Sequence, residues 1–99
     1  MTGLQEQAKK HAPGVEVTDS QVIINVGHEI EHPMLDAHLI ETIDVLQFTK
    51  AGLLRVKTFT LKAGEKPEVT IELADLKPGT YKVQARCNLH GTFDNDFVI

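Results

Sequence analysis

The sequence predicts an all-β fold, an antiparallel sandwich or barrel, and three observations carry that prediction. Apolar and polar residues alternate in several short separate runs, turn-forming residues stand between those runs, and no helical periodicity fills the gaps. A chain of 99 residues has room for one two-layer core, so a single domain over residues 1–99 is expected.

The first run sets Val22, Ile24 and Val26 against Ile23 and Asn25, the pattern of a strand with one face in and one face out. Leu39–Gln47 and Leu53–Leu61 are looser but strand-like in content, and Lys50-Ala51-Gly52 separates them as a hairpin turn would. Val69, Ile71 and Leu73 alternate with Thr70 and Glu72. Tyr81, Val83, Ala85 and Cys87 alternate with Lys82, Gln84 and Arg86. Ala63–Pro67 and Asp75–Gly79 read as further turns. Phe97-Val98-Ile99 reads as a short closing strand, and residues 4–10 as one helical turn. With four Phe, one Tyr and no Trp, the core must rest on Val, Ile and Leu.

Composition also narrows the function. A net charge of −4 argues against nucleic acid, whose phosphates call for a basic face. No apolar run reaches the ~18–20 residues that cross a bilayer. The opening MTGLQEQAKKHAPG lacks the apolar stretch of a secretory signal, so a cytoplasmic location is expected. The lone cysteine, Cys87, excludes an internal disulfide.

The chemistry concentrates in three segments. In Cys87-Asn88-Leu89-His90-Gly91, strand phase puts Cys87 on the core face at the strand's end, and His90 follows after a turn that Gly91 permits. A Cys and a His so spaced can share a metal, or can be a buried thiol beside an unrelated loop histidine. In the segment from His32 to His38, two histidines flank a loop stiffened by Pro33, as a ligand pair or as exposed loop residues. In Lys9-Lys10-His11, two cations precede a third candidate ligand, which fits a metal that an anion must approach and equally fits a solvated terminus. Together they offer His11, His32, His38, Cys87 and His90. A closed tetrahedral zinc site needs only four donors.

These segments resemble, in order, the superoxide reductase family, which includes neelaredoxin and the iron-binding domain of desulfoferrodoxin. "KHAPGVEV" resembles its lysine-histidine-x-proline opening, "VGHEIEHPMLDAHLIETIDV" its segment with two histidines six apart, "LKAGEKPEVTIEL" a hairpin, and "ARCNLHG" its closing motif. The resemblance implies an immunoglobulin-like, seven-stranded antiparallel β-sandwich. It also implies a mononuclear non-haem iron (Fe2+/Fe3+) with His11, His32, His38 and His90 as equatorial ligands, Cys87 axial and the sixth position open. The implied reaction is the one-electron reduction of superoxide to hydrogen peroxide. Lys10 attracts the anion, and a rubredoxin-like donor restores ferrous iron. Relatives often assemble as dimers or tetramers, so a homo-oligomer is among the expectations. His28 matches no ligand position and reads as a surface or supporting residue.

The chain departs from the family in three places. Lys9 stands where a glutamate is common, the tryptophan usual after the second loop histidine is absent, and Thr92–Ile99 is unlike the usual ending. The competing reading is a cupredoxin-like copper electron carrier. It would use His38, Cys87 and His90, would leave His11 and His32 idle, and would lack a methionine after Cys87.

Overall fold

A computed structural model describes residues 12–27 and 32–99. Among them seven strands form two antiparallel sheets that pack face to face. In chain order they are β1 (Pro13–Val17), β2 (Gln21–Val26), β3 (Ile40–Thr49), β4 (Gly52–Thr60), β5 (Glu68–Glu72), β6 (Thr80–Cys87) and β7 (Gly91–Val98), with one 3-10 turn at Leu73–Asp75. The small sheet has the order β1-β2-β5 and the large one β4-β3-β6-β7. No helix among the described residues is long and apolar enough to cross a membrane.

The alternation read from the sequence becomes the core. Val22, Ile24 and Val26 of β2 and Val69 and Ile71 of β5 face Ile43 and Val45 of β3 and Tyr81, Val83, Ala85 and Cys87 of β6, all buried in one cluster. Each such aliphatic side chain stabilises the fold by about 1.5–3 kcal/mol when fully removed from water. Gly52, at φ +117°, closes the β3–β4 hairpin at the expected turn.

Two elements differ from the sequence expectation. The closing strand begins at Gly91 rather than Phe97 and pairs with β6 along its whole length, from Thr80↔Val98 to Cys87↔Gly91. Asp94, Asn95 and Asp96 are poor strand formers, and a ready-made partner in β6 overrides that preference. β1 also forms, although only Val15 and Val17 mark it; its pairing with β2 supplies the stability that local pattern lacks. The helical turn expected over residues 4–10 lies outside the described residues.

One irregularity positions the site. β3 pairs with β6 as Ile40↔Cys87 and then Thr42↔Arg86, so Glu41 is an extra residue that bulges the strand where it meets Cys87. The connection from β2 to β3 passes from one sheet to the other at this same end of the sandwich, carrying His32 and His38.

Candidate metal centre

His32 follows β2 in the chain and is 2% exposed. Its amide donates to the Val26 carbonyl (3.4 Å), and the Met34 carbonyl two residues on accepts from the Gly64 amide (2.8 Å). These bonds tie the segment around Pro33 to the small sheet and to the turn before β5. The His32 Nδ1 lies 2.7 Å from the Pro33 carbonyl oxygen. A carbonyl only accepts, so Nδ1 carries the proton and Nε2 keeps its lone pair. That is the tautomer a metal requires of a histidine bound through Nε2. The Nε2 atoms of His32 and His38 are both shut off from solvent.

The backbone of His38 is locked by Leu35. The His38 amide donates to the Leu35 carbonyl (3.0 Å), and the Leu35 amide donates to the His38 carbonyl (2.9 Å). The peptide groups on either side are held by Asn88. The Leu39 amide donates to Asn88 Oδ1 (3.0 Å), and Asn88 Nδ2 donates to the Ala37 carbonyl (3.1 Å). The Asn88 amide also donates to the Leu39 carbonyl (3.2 Å).

Cys87 ends β6 with its side chain on the core face, 2% exposed, as strand phase requires. Asn88, Leu89 and His90 form the loop of the β6–β7 hairpin, closed by the pair Cys87↔Gly91 with Gly91 at φ +85°. This three-residue turn brings His90 back over the strand end, with Nδ1 3.9 Å from the Cys87 sulfur.

The side chains of these segments converge. One ligand atom each from His32, His38 and Cys87 lie within 4.8 Å of one another. The His38 ring stands edge-on to His32 and to His90, at centroid distances of 4.8 and 5.2 Å and interplanar angles of 78°. The three rings therefore pack edge to face instead of stacking on one another. The donors are imidazole nitrogens and a thiol, and no carboxylate belongs to the cluster among the described residues. Such a set suits iron, copper or zinc and disfavours magnesium or calcium, which take oxygen ligands. The donor chemistry therefore fits a mononuclear iron.

Of the residues singled out in the sequence, His32, His38, Cys87 and His90 are brought to one end of the sandwich. His11, with Lys9 and Lys10, and also His28 lie outside the described residues. The roots of the first segment are in place: the Ala12 carbonyl accepts from the Gly27 amide (3.2 Å), and the Pro13 carbonyl accepts from Asn95 Nδ2 (3.0 Å). Sequence reasoning passed over Asn88. It stands inside the motif, but its side-chain partners are 49 and 51 residues away, and local pattern carries no trace of them.

The family model described as desulfoferrodoxin matches residues 3–96. Among solved structures, the chain is similar to a superoxide reductase (1Fe-SOR) from Giardia intestinalis, with 28% identity and a TM-score of 0.77 over 92% of this chain and 99% of that one. It is 30% identical to the superoxide reductase from Treponema pallidum, with a TM-score of 0.68 over 92% of this chain and 69% of that one. With the superoxide reductase (neelaredoxin) from Ignicoccus hospitalis the identity is 25% and the TM-score 0.81, over 99% and 85% of the two chains. No curated protein matches it.

Proposed function

The chain belongs to the desulfoferrodoxin family, and on that premise we propose that it is a superoxide reductase, a single domain over residues 1–99 that reduces superoxide to hydrogen peroxide at a mononuclear iron. The observation that carries this reading is the convergence of His32, His38 and Cys87 within 4.8 Å, with His90 beside the sulfur. His11, His32, His38, His90 and Cys87 would hold the metal. Five donors on an ion that accepts six leave one position for a small anion.

Iron bound there cycles between Fe2+ and Fe3+ and supplies the single electron that, with two protons, turns superoxide into hydrogen peroxide. A rubredoxin-like donor is the proposed source of the next electron. The chain's own residues set the conditions. The Pro33 carbonyl fixes the His32 tautomer, so the ligating nitrogen needs no rearrangement. Cys87, deprotonated on metal binding, contributes the full negative charge of the donor set. Lys10, next to His11, draws the anion by its local field despite the overall charge of −4.

The strand order of the two sheets and the bond from the Tyr81 hydroxyl to the Lys77 carbonyl (2.5 Å) at the start of β6 support an immunoglobulin-like description of the sandwich. Exposed Leu53, Leu54 and Val56 on the edge strand β4 support assembly into a dimer or tetramer. The copper reading would want a weak axial methionine, but the Met34 sulfur accepts from the Ile40 amide (3.4 Å). A cytoplasmic location is the setting in which this activity is proposed.

The test is metal content and spectrum. Reconstituted protein should hold about one iron per chain, show a thiolate-to-iron band in the visible when oxidised, and consume one electron of added reductant per superoxide without evolving oxygen. Stoichiometric copper with an intense blue colour would favour the electron carrier. A colourless protein that retains only zinc, or no metal at all, would overturn the iron reading.

A further inference from the structure

We infer that Asn88 is a positioning residue for the metal centre, acting through His38. The inference rests on the reading of His38 and Cys87 as ligands of one metal. A ligand on a loop is only as well placed as the backbone that carries it, and the connections between strands are the part of a sandwich least held by sheet pairing. The bulge at Glu41 takes β3 out of regular register with β6 close to this point, between Ile40 and Thr42. The Asn88 side chain bonds to the backbone just ahead of it. Its carboxamide behaves as an extra peptide group, accepting from the Leu39 amide at 3.0 Å and donating to the Ala37 carbonyl at 3.1 Å. Its main-chain amide adds a third bond, to the Leu39 carbonyl at 3.2 Å.

These bonds bracket His38 on both sides, while the peptide groups of His38 itself are committed to Leu35. Asn88 is bonded covalently to Cys87. One residue therefore couples the thiolate-bearing strand end to the backbone of a histidine in a distant segment. The pairing needs both halves of the carboxamide. Aspartate would keep the acceptor for Leu39 but set an oxygen against the Ala37 carbonyl, alanine would lose both bonds, and glutamine would be one methylene too long. An asparagine that merely stabilised its own turn would bond to neighbours two or three residues away; these partners are 49 and 51 residues distant.

The test uses cobalt(II) as the metal probe on the full chain, read by its thiolate-to-cobalt band and by titration. Asn88→Ala should raise the cobalt dissociation constant about 10–100-fold, the range typical of lost supporting bonds around a metal ligand, and should shift the band. Asn88→Asp should fall between wild type and Asn88→Ala. In a His38→Ala background the Asn88→Ala change should have little further effect on cobalt binding, because the residue it positions is gone. An equal loss of affinity in both backgrounds, or an unchanged affinity with only a lowered melting temperature of the metal-free protein, would overturn the inference and leave Asn88 as turn structure. Cys87→Ser separates the two readings. If it too leaves cobalt binding and the band unaltered, the metal site itself is wrong; if it abolishes the band, a failure of the Asn88 variants counts against Asn88 alone.

Discussion

The two ends of strand β6 carry the same kind of residue in opposite circumstances. Tyr81 and Cys87 lie on one face of one strand, are 1% and 2% exposed, and each brings a polar atom to the rim of the core. At the Tyr81 end the hydroxyl donates to the Lys77 carbonyl and the ring stacks on Phe97, at a centroid distance of 5.1 Å and an interplanar angle of 10°. Its one donor is satisfied by backbone, and the corner is closed. At the Cys87 end the sulfur lies near the imidazoles of His32 and His38, from the β2–β3 connection, and that of His90, from its own hairpin loop. Several potential ligands of one metal meet there. Burial does not separate structure from function in this molecule; what stands opposite the buried polar atom does.

Four substitutions sharpen or break that contrast. The largest effect belongs to Cys87→Ser, which should abolish the visible thiolate band of the oxidised, iron-loaded protein while leaving the metal-free fold intact by circular dichroism. An unchanged spectrum would remove the sulfur from the centre. Next, Tyr81→Ala should cost about 3–5 kcal/mol in chemical denaturation, because it empties a fully buried ring site, yet the band position should stay where it was. A shifted band would mean that the two ends are not independent. Third, Lys10→Ala should slow the reaction with superoxide by roughly tenfold at low salt, flatten its dependence on ionic strength, and retain iron. An unaltered rate would make Lys10 ordinary surface charge.

The smallest effect is that of Tyr81→Phe, about 1 kcal/mol near neutral pH from the lost hydrogen bond. It also carries a pH signature. Burial raises the Tyr81 phenol above its usual 10.0. The folded state therefore keeps its proton at a pH where the unfolded chain has begun to release it. Stability from this group is complete below pH 10 and is lost as pH rises through the folded value. The wild-type melting temperature should fall more steeply above about pH 10 than that of Tyr81→Phe, as thermal unfolding at stepped pH would show. Parallel curves would mean the phenol is not shielded in solution.

Much of the molecule is legible in its residues alone. Period-two alternation marks β2, β5 and β6 because a strand in a two-sheet sandwich hides every second side chain, and the same period places Cys87 on the inner face at a strand end. The Lys50-Ala51-Gly52 turn is equally plain, since a hairpin needs a residue free to take positive φ. The segments bearing His32, His38, Cys87 and His90 announce themselves by residue type.

The tertiary structure alone decided the rest. β7 could not be read past its apolar end, because Asp94 and Asp96 carry little strand preference and only pairing with β6 makes them a strand. No periodicity could reveal that His32 and Cys87, 55 positions apart by their numbers, bring ligand atoms within 4.8 Å, or that Asn88 reaches back to Ala37 and Leu39. Local pattern reports which face of a strand is dry. Which dry faces meet, and which side chains then share a point in space, depends on how the sheets pack and how the connections between them are tied.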